Sequence, residues 1–315
     1  MKKIAFLFAG QGSQYKGMGE DFYENFKESR NIYEIANKKL GISISDICFK
    51  NVDNKLNRTE YTQPCIITTN MAILKALNSL GVKSDISCGL SLGEYSALLN
   101  DEMIEFADAV DIVRKRGRFM QNSVEEGLGG MVAVLKLSKE KIEEIIDECK
   151  ESGIIEIANF NSPSQIVISG ENHALDKAIN LINKNNGRAI RLNVSAPFHS
   201  SMLKDAADNL YKELTNITIK KPHGVVLSNT KGDNYNEYDD IKYILKNQVE
   251  SSVLFMNNIE YIKSLGVDIF VEIGPGRILS GFVKQIDKSL TVLNVEDLKS
   301  LEVTINKLKG LEVIS

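Results

Sequence analysis

Gly89-Leu90-Ser91-Leu92-Gly93 fits G-x-S-x-G. It stands between a segment with strand character, 84–90, and one with helical spacing, 92–100. That context gives the string its chemistry. A strand that turns sharply into a helix at a serine pushes the hydroxyl outward, and such a turn closes only between small residues. The helix that follows aims free N–H groups and the positive end of its dipole at the same point. A glycine-rich helix start capped by Ser91 is the simpler reading, but it needs no strand before it. Strand, turn and helix together favour a serine nucleophile and acyl chemistry through a serine ester.

A serine hydroxyl needs a base to take its proton, and the chain has three histidines. His173 falls at a helix start and reads as a surface or capping residue. His223 follows Pro222 in a lysine-rich turn and reads as exposed. His199, in Ser195-Ala196-Pro197-Phe198-His199-Ser200, stands where one predicted unit rejoins another, and clefts form at such junctions. His199 is therefore the candidate base, with activity expected to rise with pH through an ordinary imidazole titration. No later histidine serves, and no Asp stands out as a third member. A Ser–His pair oriented by a backbone carbonyl is expected in place of a full triad. Only eight of the 38 cationic residues are Arg, and three of them, Arg114, Arg116 and Arg118, share one helical segment. Positions 114 and 118 lie on one face and 116 on the other, which allows one inward arginine and two solvated ones.

These residues need a scaffold. Residues 3–9 read as a buried strand running into the polar loop Gly10-Gln11-Gly12-Ser13-Gln14. Helical spacing covers 21–40, 61–80 (with Gly81 at a C′ position) and 106–124. From 129 the pattern changes to strand 131–135, helix 138–149 capped by Ser138, strands 154–158 and 165–169 joined by a turn over 159–164, helix 172–185 and strand 189–194. That β-α-β-β-α-β order is ferredoxin-like. Helix 200–214, strand 225–228, helices 240–247 and 253–265, strand 268–272, the turn Gly274-Pro275-Gly276, helix 278–284, strand 290–294 and helix 298–308 follow. Alternating strands and helices imply a mainly parallel sheet covered on both faces. The expected architecture is α/β: a large body from 1–127 and 196–315, with a ferredoxin-like subdomain inserted at 128–195.

Composition narrows the class. With 315 residues, 43% hydrophobic and 25% charged, the chain is globular, neither disordered nor fibrous. A net charge of −4 argues against nucleic-acid binding by the chain as a whole. No apolar run reaches the ~18 residues of a membrane helix. The run after Lys2-Lys3 spans only 4–9, short of the roughly 7–15 residues of a secretory signal core, so a cytoplasmic protein that leaves membranes alone is expected. Cys48, Cys65, Cys88 and Cys149 are scattered without a CxxC pair, which reads as buried reduced thiols, with neither disulfide nor metal site.

Seven segments in register carry a family resemblance. They are Gly10 to Gln14, Gly89 to Glu94, Arg116 to Gln121, Asn159 to Gly170, Pro197-Phe198-His199, Gln248, and Glu272 to Gly276. In this order and over nearly the whole chain they resemble malonyl-CoA:acyl carrier protein transacylases. One departure is Leu90, where the family often has His; it flanks the nucleophile and is not the base. The resemblance implies an α/β-hydrolase-like body with a ferredoxin-like insertion. It implies that Ser91 takes the malonyl group, that His199 moves the proton, and that Gln248 lends its backbone carbonyl to the imidazole. It further implies an oxyanion hole made by the N–H groups of Gln11 and Leu92, and Arg116 as the ligand of the malonyl carboxylate. Phe198 beside the base leaves little room for a methyl branch, favouring malonyl over methylmalonyl. The expected partners are malonyl-CoA and acyl carrier protein, in fatty-acid biosynthesis, with the enzyme a monomer. Coenzyme A and phosphopantetheine are substrate carriers, and no cofactor is implied. A stand-alone acyltransferase of a polyketide assembly line and an acyl-thioester hydrolase remain alternatives.

Overall fold

The computed structural model describes residues 2–125, 127–194 and 196–314. Nine strands occur among them: β1 (Ile4–Phe8), β2 (Ile86–Gly89), β3 (Gly129–Leu135), β4 (Ile155–Ser162), β5 (Gln165–Glu171), β6 (Arg188–Arg191), β7 (Val225–Val226), β8 (Ile269–Ile273) and β9 (Thr291–Val295). Five form an all-parallel sheet in the order β7-β2-β1-β8-β9. The centre of that sheet is fully buried. Every residue of β1 and β8 is buried, because helices cover both faces; β1 accordingly reads as an unbroken apolar run, and β8 as one interrupted only by Glu272. In parallel sheets the loops at the carboxyl ends of the strands form the functional edge. Here those loops are 9–14 after β1, 90–92 after β2 and 274–277 after β8.

The second sheet is antiparallel, in the order β4-β5-β3-β6. Successive side chains of β3 face opposite ways. Val132 and Val134 pack under the helices Lys139–Cys149 and Asn172–Lys184, with Ile142, Ile145 and Leu175. Met131 and Ala133 join the core of the larger body instead. β4 is also tied to the body through its backbone: Phe160 N–H donates to the Val253 carbonyl (2.9 Å), and Val253 N–H to that of Ala158 (2.8 Å). The small sheet thus lies across the body, with one face toward it. Ser195, the predicted last residue of this unit, lies outside the described residues, as do Met1, Glu126 and Ser315.

Several boundaries differ from the sequence reading. The helix expected over 21–40 is two helices, Glu20–Asn25 and Lys27–Leu40, broken where Phe26 turns extended (φ −123°, ψ 122°). Its apolar spacing survives the break because Phe22 and Phe26 stack across it, with centroids 5.9 Å apart. The turn expected over 159–164 is mostly strand. β4 continues to Ser162 through two register irregularities, and its amide side chains masked the strand pattern. The helix expected over 240–247 runs over Ile241–Glu250 and so contains Gln248. The helix Ile44–Lys50 and the 3-10 turn Val52–Asn57 were not anticipated.

Candidate active site

The sharp turn after β2 is set by three close backbone approaches. A side chain at Gly89 would overlap the backbone of Gly93, one at Gly93 would overlap the Phe8 carbonyl, and one at Gly10 would overlap the Leu90 carbonyl. Ser91 itself takes φ +51°, a left-handed conformation that costs a non-glycine residue on the order of 1–3 kcal/mol. Asn229 clasps the turn from both sides. Its side-chain oxygen accepts from Ser91 N–H (2.6 Å), and its amide donates to the Gly89 carbonyl (2.7 Å).

The Ser91 hydroxyl lies 2.8 Å from His199 Nε2, and His199 Nδ1 lies 2.7 Å from the Gln248 carbonyl oxygen. A carbonyl only accepts, so Nδ1 carries the hydrogen and Nε2 keeps a lone pair toward the serine. That carbonyl is available because Gln248 stands in the last turn of its helix, where carbonyls have no partner within the helix. His199 also has positive φ, +59°. Burial first, and the Arg116 charge second, push its pKa down to about 4. The imidazole is therefore already neutral at mild acidity, well below the ordinary titration expected from sequence. His173 and His223 are exposed and stand apart from this site.

Arg116 is only 1% exposed. Its Nη1 donates to Gln63 Oε1 (2.9 Å) and its Nη2 to both Ser91 Oγ (3.1 Å) and Gln248 Oε1 (2.8 Å). Its Nε–H is buried without a partner among the described residues. The guanidinium sits 5.7 Å from the centre of the Tyr95 ring. The other two arginines of helix Phe106–Gln121 turn away. Arg114 donates to the Leu40 carbonyl (3.2 Å) and faces Glu60, and Arg118 is exposed.

Beneath the nucleophile lies a buried carboxylate, Glu94. It accepts from Tyr235 OH, from Asn229 N–H and from Gln248 Nε2, which also donates to the Ser91 carbonyl (2.9 Å). Burial pushes its pKa up to about 7 against the pull of these donors and of Arg116.

Above the nucleophile is a cavity of about 420 Å³, bounded by Gln11, Leu90, Arg116 and Phe198 from the body and by Met131 and Asn161 from the small sheet. The N–H groups of Gln11 and Leu92 have no hydrogen-bond acceptor among the described residues. The Gln11 side chain is tied to Thr59 (3.3 Å) and Gln63 (3.4 Å), which links the first loop to the arginine. Sequence reasoning missed Gln63, Asn229 and Tyr235, and it gave the Glu94 side chain no role. Glu94 and Gln63 carried a signal, a polar residue within an otherwise buried helical face. Asn229 and Tyr235, in irregular chain after β7, carried none.

A parallel α/β body that holds a buried Ser–His pair at the carboxyl edge of its sheet is the arrangement of an enzyme that works through an acyl-serine. The family model described as "Acyl transferase domain" matches residues 5–309. The malonyl CoA-acyl carrier protein transacylase of Bacillus subtilis (strain 168) is 40% identical, over 98% of this chain and 98% of its own length. A solved malonyl CoA-acyl carrier protein transacylase from Clostridium perfringens superposes with TM-score 0.97 at 57% identity, covering 99% of this chain and 98% of that one. A malonyl-transacylase solved in complex with its type II PKS acyl-carrier protein superposes with TM-score 0.94 at 33% identity, covering 97% and 100%. The chain belongs to the malonyl CoA-acyl carrier protein transacylase family.

Proposed function

We propose that this chain moves malonyl from coenzyme A to the phosphopantetheine thiol of acyl carrier protein, supplying fatty-acid synthesis, by way of a malonyl ester on Ser91. The observation that carries the reading is a buried arginine within hydrogen-bond distance of a serine that is itself bonded to a neutral histidine. His199 Nε2 takes the hydroxyl proton as Oγ attacks the thioester carbonyl. The N–H groups of Gln11 and Leu92 receive the oxyanion, an interaction typically worth roughly 3–4 kcal/mol per donor. Collapse expels coenzyme A, whose sulfur takes the proton from His199. The carrier thiol then reverses the sequence in a ping-pong cycle. Arg116 grips the malonyl carboxylate, which stands one methylene beyond the reacting carbonyl; a planar guanidinium meets a carboxylate with paired charge-assisted bonds. Phe198 narrows the space at the α-carbon and disfavours methylmalonyl. Residues 128–195 act as a ferredoxin-like subdomain that closes the cleft over the acyl chain. The enzyme works as a cytoplasmic monomer, needs no cofactor or metal, and binds neither nucleic acid nor membrane. Among the described residues no helix is long and apolar enough to cross a membrane.

Intact-mass measurement after mixing with malonyl-CoA tests the reaction class. One malonyl adduct is expected on the parent and none on Ser91→Ala, and an adduct on the Ala variant would place the nucleophile elsewhere. A polyketide carrier as acceptor is a second reading, supported by the structural likeness to the transacylase solved with a type II PKS acyl-carrier protein. Transfer rates to the two kinds of carrier protein separate them.

A further inference from the structure

Glu94 is the only charged residue of helix Gly93–Asn100, and it is fully buried. A buried carboxylate is tolerated only when its oxygens are hydrogen-bonded, and here three donors converge on it: Tyr235 OH, Asn229 N–H and Gln248 Nε2. None of the steps above uses this group. Its effect lies in the neighbouring amide. The Gln248 side chain has an oxygen at one corner and an NH2 at the other. Turned one way, its NH2 meets Glu94 and the Ser91 carbonyl while its oxygen meets Arg116 Nη2. Turned the other way, two acceptors would face each other at Glu94 and two donors at Arg116. Ionised, with Tyr235 OH and Asn229 N–H on one oxygen and Gln248 Nε2 on the other, the carboxylate has no hydrogen to give and permits only the first orientation; its protonated form, present below about pH 7, does not. The nitrogen held by that amide oxygen is the one that reaches Ser91 Oγ at 3.1 Å.

We propose that Glu94, anchored by Tyr235 and Asn229, is a positioning residue for acyl selection: it fixes the Gln248 amide so that its oxygen holds the Arg116 guanidinium beside the nucleophile. The proposal rests on Arg116 being the grip for the acyl carboxylate. Glu94 touches no substrate and acts through Gln248. Once Glu94 is ionised, above about pH 7, its negative charge, one amide away, also balances the buried cation while the site is empty, without occupying the bonds an incoming carboxylate needs.

Glu94→Gln has nearly the same shape but one donor corner. Its oxygen must serve Asn229 N–H, which can only donate, so its NH2 confronts Gln248 Nε2 and drives that amide to turn. The measurement, made at about pH 8 where Glu94 is ionised, is the ratio of kcat/KM for malonyl-CoA to that for acetyl-CoA. The ratio is expected to fall roughly tenfold, in the range of couplings within one hydrogen-bond network, with acetyl transfer much less affected. Tyr235→Phe, which removes one anchor and keeps the carboxylate, should lower the ratio by a smaller factor, and it serves as the test if Glu94→Gln does not fold. Adding Glu94→Gln to Arg116→Ala should change the ratio no further. Glu272→Gln, at a buried carboxylate that bonds a different helix, should leave the ratio unchanged. A merely structural Glu94 would lower both substrates together at constant ratio. That result in both Glu94→Gln and Tyr235→Phe, beside a collapsed ratio in Arg116→Ala, would overturn this proposal alone. An unchanged ratio in Arg116→Ala would overturn the carboxylate grip and this proposal with it.

Discussion

Ser91, His199 and Arg116 meet at distances of 2.8 and 3.1 Å in a place that water barely reaches. Removal from water is what gives each its state. The imidazole, desolvated and beside a cation, holds its proton poorly, with a pKa of about 4. A base that loses its proton near 4 is ready throughout the neutral range. The acid limb of kcat/KM that belongs to His199 is therefore expected to have a midpoint nearer 4 than 6.5, distinct from any change near pH 7 as Glu94 ionises. His199→Ala should lose roughly 10²–10⁴-fold and that limb with it; an acid limb that survives the substitution would assign the titration to another group. The guanidinium stays charged by contrast, because arginine does not deprotonate under these conditions. Facing a neutral acyl group it would be left short of a partner, which penalises acetyl, whereas malonate satisfies it. Arg116→Ala removes both the reward and the penalty. The malonyl-to-acetyl ratio of kcat/KM should collapse in that variant and stay near the parent value in Arg114→Ala and Arg118→Ala, whose side chains leave the site. A collapse in either control would remove the special role of Arg116.

The elements that hold these groups are short and tightly apposed. Gly93 opens the helix behind the nucleophile with its α-carbon against the Phe8 carbonyl of the central strand, leaving no room for a methyl group. Gly93→Ala must push β1 and the helix apart, and overpacking of this kind costs roughly 1–3 kcal/mol. The expected result is a lower denaturation midpoint and a slower rate of malonyl-serine formation. A variant as stable and as fast as the parent would show that the turn tolerates a wider spacing. This turn was legible in the sequence because its glycines are spaced by a local rule. The strand–helix alternation of the body and the β-α-β-β-α-β order of the small sheet were legible for the same reason: each strand and helix carries its own period. The break at Phe26 was not, since apolar spacing continues across it. Nor was the outer part of β4, whose Asn159, Asn161 and Ser162 face the cleft and the helix Ile278–Ile286, so that they look like loop residues. The site divides in the same way. Ser91 was marked by its local motif, and His199 and Arg116 were picked out of very short lists. Gln63, Asn229 and Tyr235 owe their place to contacts spanning some 50 to 140 residues of chain, which no local pattern announces.

At the scale of the whole molecule, one buried acid links the two sheets. Glu272, the next-to-last residue of β8, accepts from the N–H groups of Leu279 (3.0 Å) and Ser280 (2.7 Å), fixing the start of helix Ile278–Ile286. That helix lines the cavity with Ile278 and Phe282. Its Gln285 accepts from the hydroxyls of Ser162 and Ser164 on the β4–β5 hairpin, both at 2.6 Å. Burial pushes the Glu272 pKa up to about 7, although the helix donors draw it down. The native state therefore binds a proton that the unfolded chain, titrating near the ordinary carboxylate value of about 4.3, has released. Stability from this group is fully present below about pH 4.5 and is lost as pH rises through 7. Glu94, raised to about 7, acts in the same sense. His199 acts in the opposite one: native about 4 against about 6.5 unfolded, so stability rises with pH between those values. Above pH 6.5 the histidine contributes no further change, and the two acids leave a net decline toward alkaline pH. Glu272→Gln takes one acid out of that balance. Between pH 5 and pH 8 the variant should lose less stability than the parent, by up to about 3 kcal/mol for a shift of this size. Urea midpoints at the two pH values measure the difference, with the slope of the transition unchanged. Parallel declines in parent and variant would mean that Glu272 is ionised in the native protein across the whole range, held so by the helix start it caps.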